Sequence, residues 1–371
     1  MPHSLASSGA SDLDEIALLA ELVRTPSVSG DEAAVAALIE QVALSVGLPV
    51  RRDDAMVSIE LDSKRPGNSL ALVSHIDTVP VGQGWTRAPF EPTQSDGRLW
   101  GRGSNDAKAS VAAMITAALD VQRAGGPQQG RLLVVLGYSE ETRDTSMPRA
   151  VPRLGHLDAA IVGEPTSLDF AVAQRGLMMV DLVAHGDQCH AAYAAERGAR
   201  SAVFQLAADL LKLPSLCTER PHPLLGQPTI TPTVLEAGVA RNVTPPQAKA
   251  VLDLRTTPSW DHSELAPYLQ QALGSQVVVT SSRLQPCETP AGSPLLQVAA
   301  EVSLNARRYG SPTCSDWVFL RHLDAIKCGP GDSRVSHTAD EWVAIAEVRA
   351  ARRFYAELAT RYLATVNTSS R

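Results

Sequence analysis

The chain has 371 residues, of which 44% are apolar and 20% are charged, a composition typical of a folded globular protein. It carries 33 Lys and Arg against 40 Asp and Glu, a formal net charge of −7, without the basic clusters that phosphate binding requires. We therefore expect no nucleic-acid partner. The length predicts about two domains, because single hydrophobic cores stop growing at roughly 250–300 residues.

The sequence gives no indication of a membrane or secretion segment. The N-terminus lacks the basic and apolar regions of a signal peptide, and the longest apolar runs, Leu70–Val73 and Leu132–Leu136, are far below the ~18 residues of a membrane helix. Five scattered cysteines form no CxxC pair. We therefore expect a cytoplasmic protein with free thiols and no membrane partner.

Helical spacing alternates with short apolar runs over the first 165 residues. The spacing predicts helices over Leu13–Arg24, Ala33–Leu44 and Asp106–Val121, and the apolar runs predict strands over Val57–Leu61, Ser69–Ser74, Arg131–Gly137 and Ala159–Val162. Ser11-Asp12 is the predicted cap of the first helix, and Ser29 with Glu32 matches a capping box before the second. This alternation indicates an α/β domain with a largely parallel sheet.

A second domain is predicted after Pro165, where the pattern changes. Strands are predicted over Leu177–Ala184, Thr229–Gly238, Lys249–Leu254 and Gln276–Ser281, with helices over Ser201–Lys212 and Ser263–Leu273. The order β-α-β-β-α-β is that of a ferredoxin-like unit. We therefore expect an inserted domain over 171–282, with 1–170 and 283–371 forming the first domain. The latter part should contain a helix over Pro294–Asn305, a strand over Ala325–Cys328 and a terminal helix over Asp340–Thr365.

Three of the predicted buried strands lead directly into acidic or imidazole residues. His75 follows the first, Glu140 and Glu141 follow the second, and Glu164 follows the third. In open α/β sheets the ligand crevice lies at the carboxyl ends of the strands. We therefore expect these side chains to meet at one edge of the sheet.

Two further motifs, around Asp106 and His337, complete a set of two histidines and three carboxylates without cysteine. This set suits two Zn²⁺ ions that share a bridging carboxylate, with Co²⁺ or Mn²⁺ as substitutes. Such a pair polarises a carbonyl and lowers the pKa of a water between the ions. The adjacent Glu140 and Glu141 would then supply one ligand and one base.

Several of these residues also have a plainer explanation. Asp106 could be a helix N-cap, the paired glutamates a solvated helix end, and His75 a hydrogen-bonded structural histidine. Asp340 and Glu341 match helix-start acids, and we adopt that interpretation for them. The conjunction of all the ligand types at the predicted sheet edge favours a metal site over these separate explanations.

Three motifs together resemble the co-catalytic di-zinc aminoacylase and exopeptidase family, which includes acetylornithine deacetylase, succinyl-diaminopimelate desuccinylase and glutamate carboxypeptidase. They are His75-Ile76-Asp77-Thr78-Val79-Pro80, the stretch Asp96–Gly103, and Gly163-Glu164-Pro165-Thr166. The resemblance extends from about Leu18 to Val348 and is closest to the acetylornithine deacetylase branch. It implies a zinc-peptidase-like mixed sheet with helices on both faces, and a lid and dimerisation role for the inserted domain.

The resemblance also implies a role for each residue of the predicted centre. His75 and Glu164 would hold one zinc, Glu141 and His337 the other, and Asp106 would bridge them. Asp77 would orient the His75 ring, and Glu140 would be the general base.

Five more residues are implied as parts of the substrate site. His190 would cross to the active site of a partner subunit and stabilise the tetrahedral oxyanion, which implies a homodimer through the lid domain. Asn242 and Arg255 would contact substrate, and the loops at Ser315 and Gly329 would line its pocket. Plain packing beside Cys189 is the alternative for His190, and a surface ion pair is the alternative for Arg255.

The sequence thus predicts a metal-dependent hydrolase of N-acyl amino acid amides. We expect N²-acetylornithine as the substrate, cleaved to acetate and ornithine in arginine biosynthesis. A succinyl-diaminopimelate desuccinylase, a deacylase of carrier-protein-bound lysine, and a dipeptidase or carboxypeptidase are alternatives within the family. A non-catalytic metal-binding regulator is the alternative of another class, and an intact Glu140 argues against it.

Overall fold

The structure, a computed structural model, describes residues 13–142 and 145–365. The helices are α1 (Glu15–Arg24), α2 (Ala33–Ser45), α3 (Lys108–Arg123), α4 (Met147–Ala150), α5 (Ala202–Lys212), α6 (His262–Ala272), α7 (Pro294–Val302) and α8 (Ile345–Ala364). The strands are β1 (Val50–Arg52), β2 (Met56–Asp62), β3 (Ser69–His75), β4 (Thr93–Ser95), β5 (Arg98–Trp100), β6 (Arg131–Gly137), β7 (Ala159–Val162), β8 (Phe170–Gln174), β9 (Gly176–His185), β10 (Thr229–Ala237), β11 (Gln247–Thr256), β12 (Gln276–Leu284), β13 (Cys287–Glu288), β14 (Arg308–Ser311), β15 (Asp324–Lys327) and β16 (Trp342–Ala344).

The chain divides into two compact units. The first comprises Met1–Val172, Thr289–Tyr309 and Ser315–Arg371, and the second comprises Ala173–Glu288 and Gly310–Cys314. The helices over the described residues include none that is both long and apolar enough to cross a membrane.

A mixed sheet with a parallel centre forms the first unit. Its strands lie in the order β1-β2-β6-β3-β7-β15-β8. The pairs β6–β3, β3–β7 and β7–β15 are parallel, whereas β1–β2, β2–β6 and β15–β8 are antiparallel. The predicted α/β class with a mixed sheet is confirmed, although the parallel pairing is confined to the centre.

Helices α3 and α8 pack against each other and on β3 and β6, so together they cover one face of the parallel centre. All residues of β3 are buried, so this strand is covered on both faces, as its unbroken apolar run predicts. Its register pairs His75 with Gly137 of β6 and Val73 with Val162 of β7. The carboxyl ends of three strands therefore coincide within two residues.

The second unit is an antiparallel sheet with the strand order β10-β11-β9-β12. Buried and partly buried residues alternate along β9 and β11, and helices α5 and α6 are packed against this sheet. The buried residues of these strands and helices form one apolar cluster that includes Val180, Leu252, Leu206 and Leu265. Chain order and strand order are those of a ferredoxin-like unit.

The predicted start of the terminal helix differs from the structure. The terminal helix begins at Ile345 rather than Asp340, because Trp342–Ala344 instead pairs antiparallel with Arg98–Trp100. The Arg98 guanidinium lies 3.7 Å from the centre of the Trp342 ring, a cation–π contact that stabilises this pairing. Helical periodicity in one segment cannot reveal a pairing with a strand more than two hundred residues away.

The predicted cap Ser11-Asp12 lies outside the described residues. Asp14 caps helix α1 instead, because its Oδ1 accepts the backbone N–H groups of Ile16 and Ala17 at 2.9 and 2.8 Å.

Candidate metal centre

Strands β3, β6 and β7 deliver three predicted ligand segments to one sheet edge. His75 is the last residue of β3, Glu141 follows the end of β6 by four residues, and Glu164 follows the end of β7 by two. His75 Nε2 lies 3.9 Å from Glu164 Oε1. The side chains of His75, Glu140 and Glu141 also form a group whose ligand atoms all lie within 4.8 Å of one another.

Asp106 stands between the two histidines. Its Oδ1 lies 3.3 Å from His75 Nε2, and its Oδ2 lies 3.6 Å from His337 Nε2. Helix α3 begins at Lys108, so Asp106 is not the N-cap of that helix. One carboxylate with an oxygen directed at each histidine has the arrangement that a ligand bridging two cations requires.

His337 and Glu141 complete the second half of the cluster. His337 Nε2 lies 2.7 Å from Glu141 Oε1, and both side chains form a group with Asp106 within 4.8 Å. The structure therefore brings together all five side chains that the sequence predicts as metal ligands. They lie in two overlapping groups, with Asp106 common to both.

The charges of this cluster favour uptake of positive charge. Burial raises the pKa of Glu164 to about 8, and the negative charge of Asp106 adds to the effect. Burial also raises the pKa of Glu140 well above its usual value; His75 opposes this shift, while Glu164 and Asp316 reinforce it. Burial lowers the pKa of His75, but hydrogen bonds with Asp106 and Asp77 outweigh it and raise that pKa well above 6.5.

A side-chain cluster of this kind suits divalent cations as well as protons. Imidazole nitrogens and carboxylate oxygens are the ligands that Zn²⁺, Co²⁺ and Mn²⁺ accept. Burial, reinforced by the neighbouring carboxylates, raises the pKa of Glu140 and Glu164, and this concentration of acidic groups is electrostatically complementary to two dications. The residues present therefore fit a two-metal centre.

Asp77 connects the first histidine to the loop after β6. Its Oδ1 lies 3.3 Å from His75 Nδ1, and its two carboxylate oxygens accept the backbone N–H groups of Glu140 and Glu141 at 3.0 and 3.1 Å. Burial raises the pKa of Asp77, but the bonds from His75 and Ser29 prevail and lower it to about 2. Asp77 is therefore an anion that orients the His75 ring and the Glu140–Glu141 turn together.

Glu341 is not a helix-start acid, so that interpretation is wrong. It is fully buried and precedes helix α8 by four residues. Its carboxylate accepts the Arg102 guanidinium at 2.6 Å and the backbone N–H groups of Gly103, Asn105 and Asp106 at 3.0 Å each. It thereby holds the loop that carries Asp106. These partners lie more than two hundred residues away in the chain, so no local sequence pattern signalled this role.

The predicted capping box at Ser29 and Glu32 is also wrong. Glu32 is itself the N-cap position of helix α2, and its side chain makes no capping bond to that helix. Ser29 Oγ donates to Asp77 Oδ2 at 2.6 Å, and Glu32 accepts hydrogen bonds from Ser139. Both side chains are thus directed at the metal centre rather than at their own helix.

Lys108 is a further residue that the sequence interpretation missed. Its ammonium is fully buried and donates to the carbonyls of Leu22 and Thr25 at 2.8 and 3.0 Å. Burial lowers its pKa to about 7, against the opposing charges of Glu341 and Asp77. The available sequence signal was a lysine at the start of a predicted helix whose next residues are almost all small or apolar.

Ser315 and Gly329 lie on loops of the first unit. A Cβ on Gly329 would lie 2.5 Å from Ser110 Oγ and 2.6 Å from the Glu164 carbonyl oxygen, so only glycine allows this loop to approach the Glu164 segment. Ser315 is buried and caps a short 3₁₀ turn at Asp316–Phe319. Their predicted contact with substrate stays a prediction.

His190, Asn242 and Arg255 belong to the second unit. The His190 ring Nδ1 accepts the Ala192 N–H at 3.1 Å, and its residue bridges to Val243, next to Asn242. The Arg255 guanidinium makes a two-pronged contact with Asp253, at 2.8 and 3.1 Å. The roles predicted for these three residues are likewise still predictions.

Known proteins resemble the chain over nearly its whole length. It is 27% identical to succinyl-diaminopimelate desuccinylase of Cereibacter sphaeroides, covering 95% of this chain and 100% of that protein. It is 31% identical to acetylornithine deacetylase of Myxococcus xanthus, covering 79% and 80% respectively.

Solved structures show the same fold. Aminopeptidase PepT of Bacillus cereus superposes with a TM-score of 0.77 at 18% identity, covering 96% of this chain and 99% of that one. A protein of Bacillus subtilis, described as a dinuclear metal-binding peptidase, superposes with a TM-score of 0.75 at 16% identity, covering 95% and 98%.

A sequence model of peptidase family M20/M25/M40 matches residues 71–361. The resemblance that the motifs indicated is therefore confirmed, and so is the prediction of a metallohydrolase acting on amide bonds. Since this match extends over well more than half of the sequence, the chain belongs to peptidase family M20/M25/M40.

Proposed function

We propose that this protein hydrolyses the amide bond of an N-acyl amino acid at a centre of two zinc ions. The observation that carries the proposal is the convergence of the five predicted ligand side chains into two overlapping groups that share Asp106. His75 and Glu164 would hold one ion, Glu141 and His337 the other, and Asp106 both. The Bacillus subtilis relative of the same fold, described as dinuclear, supports two ions.

When bound, such a pair of cations polarises the amide carbonyl and makes a water molecule acidic enough to lose a proton near neutral pH. Glu140 takes that proton at its carboxylate and passes it to the leaving nitrogen. Its position suits this task, because its carboxylate oxygen lies within 4.8 Å of the ligand atoms of His75 and Glu141 while Glu140 is not one of the five predicted metal ligands, so that it is left to exchange protons. Asp77 keeps Glu140 in place through the backbone N–H.

Two substrates are supported by different relatives. Similarity to the acetylornithine deacetylase of Myxococcus xanthus favours N²-acetylornithine, the substrate that the motifs predict, and thus a role in arginine biosynthesis. The desuccinylase of Cereibacter sphaeroides, which aligns over more of the chain, favours N-succinyl-diaminopimelate and lysine biosynthesis. Both reactions release an amino group from an N-acyl amino acid, so one site chemistry serves either.

The finer parts of the proposal concern the second unit and the assembly. We propose that this unit, the predicted lid over 171–282, mediates a homodimer in the cytoplasm. His190 would then stabilise the oxyanion that forms from the carbonyl of the substrate bound to the partner subunit. Arg255 would exchange its contact with Asp253 for one with the substrate carboxylate. The exposure of the His190 side chain supports its availability for such a role.

The test is amine release with zinc, cobalt or manganese added to metal-free protein. The panel contains N²-acetylornithine, N-succinyl-diaminopimelate, N²-acetyllysine and a dipeptide, with ninhydrin as the readout. Amine release from one of them supports the proposal and names the substrate. No release from any of them with any metal would contradict it.

The variant Glu140→Gln separates a hydrolase from a metal-binding regulator. We expect it to retain two metal ions per chain by elemental analysis while turnover falls by roughly 10²–10⁴-fold. His322→Gln, a change at a histidine without a predicted role, is the matched control and should leave both quantities unchanged. A Glu140→Gln protein with wild-type turnover would refute the assigned base.

A further inference from the structure

The segment Ser29–Glu32, which the sequence suggested as a capping box, contacts the catalytic turn instead. The Glu32 carboxylate oxygen Oε1 accepts three hydrogen bonds: the Gly30 N–H at 2.9 Å, the Ser139 N–H at 3.0 Å and the Ser139 hydroxyl at 2.8 Å. Glu32 is buried, and the chain separation between Glu32 and Ser139 is 107 residues. These bonds therefore join an N-terminal loop to the loop after β6.

Ser139 has an unusual backbone conformation at the residue before the base. Its φ is 56°, in the left-handed region that non-glycine residues rarely adopt. Such a conformation persists only where surrounding contacts hold it. The two bonds from Ser139 to Glu32 Oε1 are contacts of this kind, one through the backbone and one through the side chain.

The next two residues are held from the same segment by a second route. The N–H groups of Glu140 and Glu141 donate to Asp77, which also accepts the Ser29 hydroxyl at 2.6 Å. Ser29 itself is placed by its backbone N–H, which donates to the Thr78 carbonyl at 3.1 Å. The segment 29–32 thus supports the turn 139–141 at both of its ends.

We propose that Glu32 is a positioning residue for the general base. Its carboxylate oxygen accepts the hydrogen bonds of Ser139, a task that an uncharged carbonyl oxygen could also perform. By holding Ser139 it orients the carboxylates of Glu140 and Glu141. The inference rests on the proposed function for the role of Glu140. It assigns Glu32 neither a metal ion nor a proton in the reaction, since the bonds that carry the inference are the two that Glu32 Oε1 accepts from Ser139.

Two substitutions separate the effect of the length of the Glu32 side chain from the effect of its charge. Glu32→Gln keeps the length of the side chain and a carbonyl oxygen at Oε1, but removes the negative charge. Glu32→Asp keeps the charge but withdraws the oxygen by one methylene. Glu32→Ala removes both, and Asp31→Asn, at the adjacent exposed acid, is the matched control.

We expect Glu32→Gln and Asp31→Asn to retain wild-type kcat. Glu32→Asp and Glu32→Ala should lower kcat by about 10²-fold with little change in KM, because misplacing a catalytic group by about 1 Å costs a factor of that order. In the same two variants the amides of residues 139–141 should exchange hydrogen faster, and zinc affinity measured by chelator competition should fall through the displaced Glu141.

The opposite pattern overturns the inference. If kcat falls equally in Glu32→Gln and Glu32→Ala, the negative charge of Glu32 matters rather than its acceptor oxygen. If Glu32→Ala retains wild-type kcat, the contact between Glu32 and Ser139 does not matter for turnover. Should Glu32→Ala fail to fold, the Gln and Asp variants decide the question alone. If the wild-type protein hydrolyses no substrate, the proposed function fails, while hydrogen exchange and zinc affinity still test the positioning role separately.

Discussion

Removal of the Glu341 carboxylate should destabilise the first unit and disorganise the loop that carries Asp106. In Glu341→Ala the Arg102 guanidinium, which is 2% exposed, loses its counter-charge, and the N–H groups of Gly103, Asn105 and Asp106 lose their acceptor. Leaving one partner of a buried ion pair uncompensated costs about 3–5 kcal/mol. Each buried amide without an acceptor costs about 1–3 kcal/mol, although these costs are not additive.

We therefore expect the free energy of unfolding of the first unit to fall by at least about 4 kcal/mol, a large part of the 5–15 kcal/mol typical of a domain. The assay is urea unfolding of metal-free protein, so that loss of metal does not contribute. The midpoint for the first unit should fall by about 1 M or more. The transition of the second unit should stay where it is.

The neighbouring acid provides the control for this experiment. Asp340 accepts hydrogen bonds from Thr86 and from the N–H of Arg87 at the surface, so Asp340→Asn should shift the midpoint far less than Glu341→Ala. If the two substitutions shift it equally, or if Glu341→Ala costs less than about 1 kcal/mol, the carboxylate does not hold this loop in the way described.

Two further substitutions test other contacts. Asp77→Asn removes the anion that orients His75, so zinc affinity should fall about 10–100-fold by chelator competition, and unchanged affinity would contradict that role. In the second unit, burial raises the pKa of Asp209, but bonds from Lys212, Ser275 and the Gly274 N–H outweigh it and place the pKa below 3.8. The Asp209 carboxylate therefore makes its full contribution to the free energy of unfolding at pH values above its pKa in the unfolded chain. This contribution is lost as the pH falls through its pKa in the folded protein. Asp209→Asn should destabilise the unit by the same amount at pH 7 and pH 5, and by progressively less only as the pH falls from about 3.8, the unfolded pKa, towards the lower folded pKa, whereas a loss that stays constant throughout this acid range would exclude the linkage.

The sequence by itself determined the element order and the ligand types. The apolar runs at Ser69–Ser74 and Arg131–Gly137 match β3 and β6 closely, since strands covered on both faces must be apolar throughout. The β-α-β-β-α-β order of the second unit was readable for a similar reason, because alternation and helical spacing are local properties of the chain. The motifs at His75, Asp106 and His337 predicted a site before any geometry was known.

Only the tertiary structure decided what the acidic residues near those motifs do. Ser29 and Glu32 have the spacing of a capping box, and Glu341 has the position of a helix-start acid, yet all three bond to loops that are distant in sequence. A buried carboxylate must find donors, and the donors available depend on which loops the sheet brings to its edge. Local pattern cannot reveal these partners, because they are chosen by packing across roughly fifty to two hundred and forty residues of intervening chain.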